Sequence, residues 1–539
     1  MSDMRSANTV ADRMAIALLA AVAIVAALTF RNYGLGWDDY THSQYGDLLL
    51  KLYGSGFADT SALSFVNLYK YGGGFDMAAA LAAKVLPFGL FETRRLIGAA
   101  VGIIGLFATW RLGRRLGGPI AGLSALALLA TCPLYYGHMF MNAKDAPFAT
   151  AMIVLLLGLV HAFDEYPQPG ARSMVLTGVG LGAAFGSRIL AIVAAPYVAI
   201  VLMLVVIEEA RTLGLRNASA RLGQFIWTLL PALAFAYMIM GLLWPWSIVS
   251  PLNPLRAVLY FDDFFEKPWK ELYEGVLVSV PDMPATYVPH LFVLKLPLIL
   301  LALGLAGAIG SLIAVVRRGA PLPRRASLLI ITLAAILPIV IAMITRPALY
   351  NGLRHFVFLV PPFAVLGGLA AAGLIERARA QGRIALGVLA AVFTGGITLP
   401  VIDMVRLHPY QYAYFNPLAG GVHGADGKYM LDYWGLAFKQ ASDALRAKLE
   451  ERHEQRPGNR RWLVAVCGPQ PPARVALGPE FETTAEPRGA DFAMSLGTFY
   501  CRDLKTAILA AVKREGVVFA RVYDIRGQNV SDLLALPPP

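Results

Sequence analysis

Charge and cysteine are both scarce in this chain. Only 15% of its 539 residues are charged and 3 are cysteine, against 57% hydrophobic residues. With a mean hydropathy of +0.58, that balance excludes a soluble globular enzyme and a disordered chain. The three cysteines include no paired CxxC. No Walker loop, Rossmann fingerprint or GxSxG turn stands in a fitting context, so an ATP-driven pump and a serine hydrolase lack support. A cleavage motif is also missing after the first apolar run, where Arg31, Asn32 and Tyr33 follow instead. That run is expected to stay as a membrane helix.

What the chain has in quantity is long apolar runs separated by arginine. The net charge is +12, and the arginines cluster in short connections: Arg111, Arg114 and Arg115; Arg211, Arg216 and Arg221; Arg317, Arg318, Arg324 and Arg325; Arg377, Arg379 and Arg383. Such placement follows the positive-inside rule and excludes nucleic acid as a partner. The runs predict about eleven transmembrane helices, near 14–30, 96–110, 119–135, 147–163, 173–186, 189–207, 225–243, 291–316, 327–345, 356–374 and 384–402. The expected architecture is an α-helical polytopic membrane protein with a cytoplasmic N-terminus. An odd count puts the arginine-rich loops inside and the C-terminal tail outside.

The outer connections carry the chemistry. GWDDYTHSQYG, Gly36 to Gly46, sets Asp38 and Asp39 at the mouth of the first span, a costly place for charge unless water or a polar substrate reaches it. YYGHMFMNAKDAPFAT brings His138, Asn142, Lys144 and Asp145 together after the third span. Arg188 stands at the end of two short helices, and TRPALYNGLRHFVF adds Arg346, Arg354 and His355. Cations placed outside run against the positive-inside bias, and that departure argues for a role. An acid can deprotonate an acceptor hydroxyl, and cations can neutralise a departing phosphate. His138 is a weak metal-ligand candidate, with a divalent cation possible and no other cofactor expected. The first outer connection holds two amphipathic stretches suited to the membrane interface. The long connection from Trp244 to His290, with Asp262, Asp263 and Glu266, is expected to cover the bundle.

Three regions are expected: a membrane domain over 1–402, an aromatic interfacial linker over 403–435 (HPYQYAYFNPLAGG…LDYWG), and a small extracytoplasmic α/β domain over 436–539. In the last, helices are predicted at Leu436–Glu451 and Leu504–Lys513, and strands at Trp462–Cys467, Asp491–Leu496 and Gly516–Ile525. Cys467 and Cys501 each follow a strand, and would pair if the tail meets an oxidising compartment.

Taken in order, Asp38-Asp39 in GWDDYTH, Asp145 in NAKDAPFA, Arg188 in AAFGSRIL and the segment RHFVFLVPP from Arg354 to Pro362 resemble the GT-C glycosyltransferases. The resemblance, over roughly residues 10 to 402, is to the branch of the protein O-mannosyltransferases and the lipid A aminoarabinose transferases, a family 39-like group. That branch usually has Asp-Glu where this chain has Asp-Asp, which leaves open which acid is the base; the branch's first acid falls on Asp38. The resemblance implies a polyprenyl-phosphate sugar donor, a cell-envelope acceptor (glycan, lipid or protein) and a metal-independent inverting displacement at the outer face of a bacterial inner membrane. It also implies catalytic roles for Asp38, Asp39 and Asp145, and donor-phosphate binding by Lys144, Arg188, Arg354 and His355. A secondary transporter or a non-catalytic envelope scaffold is the alternative. A broken helix pair favours the transporter; charges lying outside the spans, with no internal repeat, oppose it.

Overall fold

The computed structural model describes residues 2–262, 269–530 and 534–535. Among them, nine helices are long and apolar enough to cross a membrane. One of these, Leu90–Ala130, has 41 residues, which at about 1.5 Å per residue is about twice the hydrocarbon thickness. It breaks at Gly118 (φ 79°), just before Pro119. A Cβ on Gly122 would lie 2.8 Å from the Cβ of Arg114, so the two halves fold back side by side as a hairpin. The short apolar helix Ala171–Phe185 packs among the others. With the hairpin counted as two, each of the eleven runs expected to span has its helix.

The two sets of connections gather at opposite ends of the bundle. At one end the arginines of the short connections find carboxylates: Arg115 with Asp164 and Arg221 with Glu209, both at 2.8 Å, and Arg318 and Arg325 with Glu208 at 3.3 Å. At the other end lie the amphipathic helices Asp39–Gly54 and Gly74–Ala83 and a cover from the long connection. The cover includes an antiparallel hairpin of β1 (Lys270–Tyr273) and β2 (Val276–Ser279). Its turn is tied down where the Gly275 N–H donates to the Lys428 carbonyl at 3.1 Å. Asp263 and Glu266 fall outside the described residues, as does the side chain of Asp262.

Residues 403–407 end the helix Arg383–Leu407, and the aromatics that follow are packed. Tyr410, Tyr412, Phe415, Tyr433 and Trp434 are all buried, and Asn416 donates to the carbonyls of Val293 and Leu296 at 2.6 and 2.8 Å. The tail follows with helix Phe438–Glu451 and strands β3 (Trp462–Cys467), β4 (Phe481–Thr484), β5 (Phe492–Leu496), β6 (Ile508–Arg514) and β7 (Val517–Asp524). They form one sheet in the order β4-β3-β5-β7-β6, parallel over the first three strands and antiparallel beyond. The helix expected at Leu504–Lys513 is instead strand β6. A short apolar run such as Ile508–Val512 fits either period. The turn decides: Glu515 (φ 48°) and Gly516 (φ 82°) both take the left-handed conformation that closes a tight hairpin onto β7. Cys467 and Cys501 form a disulfide with Cα atoms 5.7 Å apart, while Cys132 is buried and free.

Candidate active site

The covered end of the bundle encloses a cavity of about 810 Å³. Asp38, Asp39, Lys144, Arg188, Arg354 and His355, scattered along the sequence, all line it. Its first wall depends on Gly36. A Cβ there would sit 1.5 Å from Trp434 Cδ1, so only glycine lets the backbone press against the indole. The Trp37 N–H then donates to the Trp434 carbonyl at 3.0 Å. This contact sets the start of helix Asp39–Gly54, and with it the two acids.

The acids face different surroundings. Asp39 is 3% exposed; it accepts the Gly36 N–H at 2.7 Å and is held on both oxygens by the Arg95 guanidinium. Burial disfavours its charge, but Arg95 and then Arg94 outweigh that and hold the carboxyl below the usual carboxylate range. Arg94 also bonds Asp76 at 2.7 Å, and His42 reaches the other Asp76 oxygen at 2.6 Å. Asp39 therefore belongs to a closed network. Asp38 is exposed to the cavity and makes no hydrogen bond or ion pair with another described side chain. Of the two, Asp38 has lone pairs available to take a proton.

The opposite wall is built by the start of helix Asp145–Asp164. Asn142 Oδ1 accepts the N–H groups of Lys144 and Asp145 at 3.1 and 2.8 Å, a side-chain cap of the kind that short polar residues supply. Asn142 Nδ2 donates to Asp145 at 2.7 Å, and the second Asp145 oxygen pairs with Arg188 Nε at 2.6 Å. Asp145 thus lies behind the cavity and aims Arg188 into it. Lys144 Nζ sits 3.6 Å from the centre of the Tyr71 ring. Burial pushes its pKa down to about 8, against the pull of Asp38. The Arg354 guanidinium lies over the rings of Tyr350 and Trp434, at 4.5 and 4.7 Å. Arg354 Nε and His355 Nδ1 are both buried without a hydrogen-bond partner among the described residues. An unmet buried donor is costly unless a ligand supplies the acceptor.

His138, the weak metal-ligand candidate, is not among the residues lining this cavity. It is fully buried, Asn142 Nδ2 lies 2.9 Å from its Nδ1, and the Tyr433 hydroxyl lies 3.2 Å from its Nε2, so both ring nitrogens are occupied. Among the described residues no group of three His, Cys, Asp or Glu side chains is placed to hold a metal ion.

Sequence reasoning missed several lining residues. Glu271 on β1 is 3% exposed and accepts the Tyr287 hydroxyl and the Gly352 N–H, each at 3.4 Å; burial pushes its carboxyl up to about 7. Phe499 and Tyr500 reach the cavity from the tail, beside Cys501. Tyr433 and Trp434 come from LDYWG, where buried Asp432 accepts the N–H groups of Gly435, Leu436 and Ala437 at 3.0, 3.0 and 2.9 Å. The Tyr-rich composition pointed to an interface, and no spacing in the sequence marked these residues as lining one cavity.

Comparison with known proteins adds a family match over one segment and a fold. Residues 75–244 match the family described as dolichyl-phosphate-mannose-protein mannosyltransferase. That segment holds Lys144, Asp145 and Arg188; Asp38, Arg354 and His355 lie outside it. No curated protein sequence matches the chain. Among solved structures it is similar to ArnT from Cupriavidus metallidurans in the apo state, with 15% identity, 94% of this chain and 97% of that one covered, and a TM-score of 0.51. The same protein bound to undecaprenyl phosphate gives 17% identity, 95% and 99% coverage, and a TM-score of 0.50. The apo oligosaccharyltransferase of Archaeoglobus fulgidus gives 14% identity and a TM-score of 0.50, over 88% of this chain and 65% of that one. The chain thus shares the fold of these membrane proteins, and its segment 75–244 is similar to the mannosyltransferase family.

Proposed function

We propose that this protein transfers a sugar from a polyprenyl-phosphate donor to a cell-envelope acceptor at the outer face of a bacterial inner membrane, by metal-independent displacement with inversion. The observation that carries the reading is one unpaired carboxylate, Asp38, in a cavity also lined by Lys144, Arg188 and Arg354. The undecaprenyl phosphate bound to the Cupriavidus metallidurans protein supports the donor class.

In this reading Asp38 accepts the proton of the acceptor hydroxyl as that oxygen bonds to the anomeric carbon. The bond from the anomeric carbon to the phosphate oxygen breaks on the opposite side, and polyprenyl phosphate leaves with the electron pair. Lys144, Arg188 and Arg354 stabilise the charge that gathers on it, in a site where fixed cations need little reorganisation. His355 Nδ1 and Arg354 Nε meet phosphate oxygens. Asp39 and Asp145 act through their arginines, Arg95 and Arg188. The membrane domain, 1–402, carries this chemistry; the segment 403–435 and the tail domain, 436–539, complete the acceptor side of the cavity outside the cytoplasm.

The test is turnover. Purified protein in nanodiscs, given a panel of undecaprenyl-phosphate sugars and an envelope extract, is expected to release undecaprenyl phosphate and label an acceptor, with EDTA leaving the rate unchanged. No release with any sugar lipid counts against the activity, and loss with EDTA against the metal-free displacement.

A further inference from the structure

Glu271 is an unusual carboxyl for its surroundings. The other deeply buried acids near the cavity have strong partners. Asp39, Asp76 and Asp145 each pair with an arginine, and Asp432 takes three backbone N–H groups and the Tyr412 hydroxyl. Glu271 has no ion pair among the described residues; it is met by the backbone N–H of Asn351 and by long bonds from Tyr287 and Gly352, both at 3.4 Å. A carboxyl this buried, with neutral donors and no cation in contact, remains expensive to charge unless a ligand adds a further donor. It also lies on the inward face of β1, on the cavity wall.

Its neighbours favour one kind of ligand. Trp269, two residues earlier, is 52% exposed, lines the cavity and lies against the Tyr350 ring with centroids 4.9 Å apart. Tyr350 in turn lies under Arg354, and the charge of Arg354 acts on Glu271. An apolar ring face, a carboxyl and a phosphate-binding cation thus follow one another along the wall. Aromatic walls with a few placed polar groups are how pockets orient a small polar ligand.

We infer that Glu271, with Trp269 beside it, is the subsite that recognises the sugar ring of the donor, the carboxyl accepting a hydrogen bond from a ring hydroxyl. This rests on the donor reading above, with Arg354 on the phosphate. Glu271 is then a specificity-determining residue. A site built to bond a hydroxyl discriminates strongly against a ligand lacking it.

The experiment compares bare undecaprenyl phosphate with a panel of undecaprenyl-phosphate hexoses and pentoses, mannose included, for binding to wild-type protein in nanodiscs and to Glu271→Gln and Trp269→Ala. Gln keeps an oxygen for Tyr287 and Gly352; Trp269 is exposed enough to truncate without unfolding the chain. Wild type is expected to bind at least one sugar lipid more tightly than the bare lipid. Glu271→Gln should weaken that sugar lipid about 10–100-fold, the loss expected for a hydrogen bond to a charged group, and leave the bare lipid unchanged. Trp269→Ala should show the same split. Equal losses for bare and sugar-bearing lipid, or a wild type indifferent to every sugar, overturn the inference alone. A wild type that binds no bare undecaprenyl phosphate overturns the donor reading beneath it.

Discussion

Replacing each of the adjacent acids by asparagine should damage the protein by similar energies in different places. Asp39→Asn removes the carboxylate gripped on both oxygens by Arg95, which itself is 3% exposed and also bonds the carbonyls of Gly34 and Phe140. Breaking a buried pair from one side costs about 3–5 kcal/mol, because the remaining charge is left uncompensated. That loss should appear as lower thermal stability, whatever it does to turnover. Asp38→Asn removes no such contact, since Asp38 is exposed to the cavity and bonds no described side chain. Its stability should stay near wild type while transfer falls by ~10²–10⁴, which is about 3–5 kcal/mol of barrier. The assay is paired: unfolding by intrinsic fluorescence in detergent, and release of undecaprenyl phosphate under single turnover. An Asp38→Asn protein that transfers at the wild-type rate would refute the assignment. So would an Asp39→Asn protein that is fully stable yet inactive, which would move the proton transfer to Asp39.

Other expectations are quicker to state. Lys144, with its pKa pushed down to about 8, is cationic below that pH and loses its charge above it. Affinity for undecaprenyl phosphate should therefore fall between pH 7 and 9 by about tenfold per unit above pH 8, and Lys144→Arg should flatten the profile, as titration against pH will reveal. Gly122→Leu forces a side chain into the Arg114 Cβ and the Trp110 carbonyl, 2.8 and 2.9 Å from a Cβ at that position. A loss of about 1–3 kcal/mol or more is expected, read as a lower unfolding temperature in detergent. A membrane-impermeant maleimide applied to intact cells should label Cys467 and Cys501 only after reduction; labelling that needs permeabilised membranes would place the tail inside.

Much of the helical frame was legible because hydropathy and arginine placement are strong, independent signals. Arg111, Arg114 and Arg115 marked the break between the second and third runs, since charge interrupts an apolar span. Lys144, Arg188, Arg354 and His355 were legible as a set because cations in connections expected on the outer side defy the loop bias, and Asp38 because an acid at the mouth of a span is costly. Their division of labour was not. Nothing in GWDDYTH distinguishes the acid bound by Arg95 from the one left open, because that depends on where the helix from Leu90 brings its first turn. Glu271 was invisible for a related reason: one acid in a covering loop has no pattern until β1 turns it inward. His138 looked like a possible ligand because a partner such as Tyr433 lies far along the chain. The β6 strand was misread because a five-residue apolar run carries no period of its own.

The press of Gly36 on Trp434 also bears on how the protein is born. Chains emerge N-terminus first and fold in that order, so the helix bearing Lys144 and the turn bearing Arg188 enter the membrane long before Trp434 is synthesised. Until then the segment before Asp38 has nothing to lie on. In the proposed function, a nascent chain then holds the phosphate-binding cations and still lacks a fixed base. In the reading proposed above, competence for transfer waits until Trp434, about four-fifths of the way along the chain, has been made and brought back to the first loop.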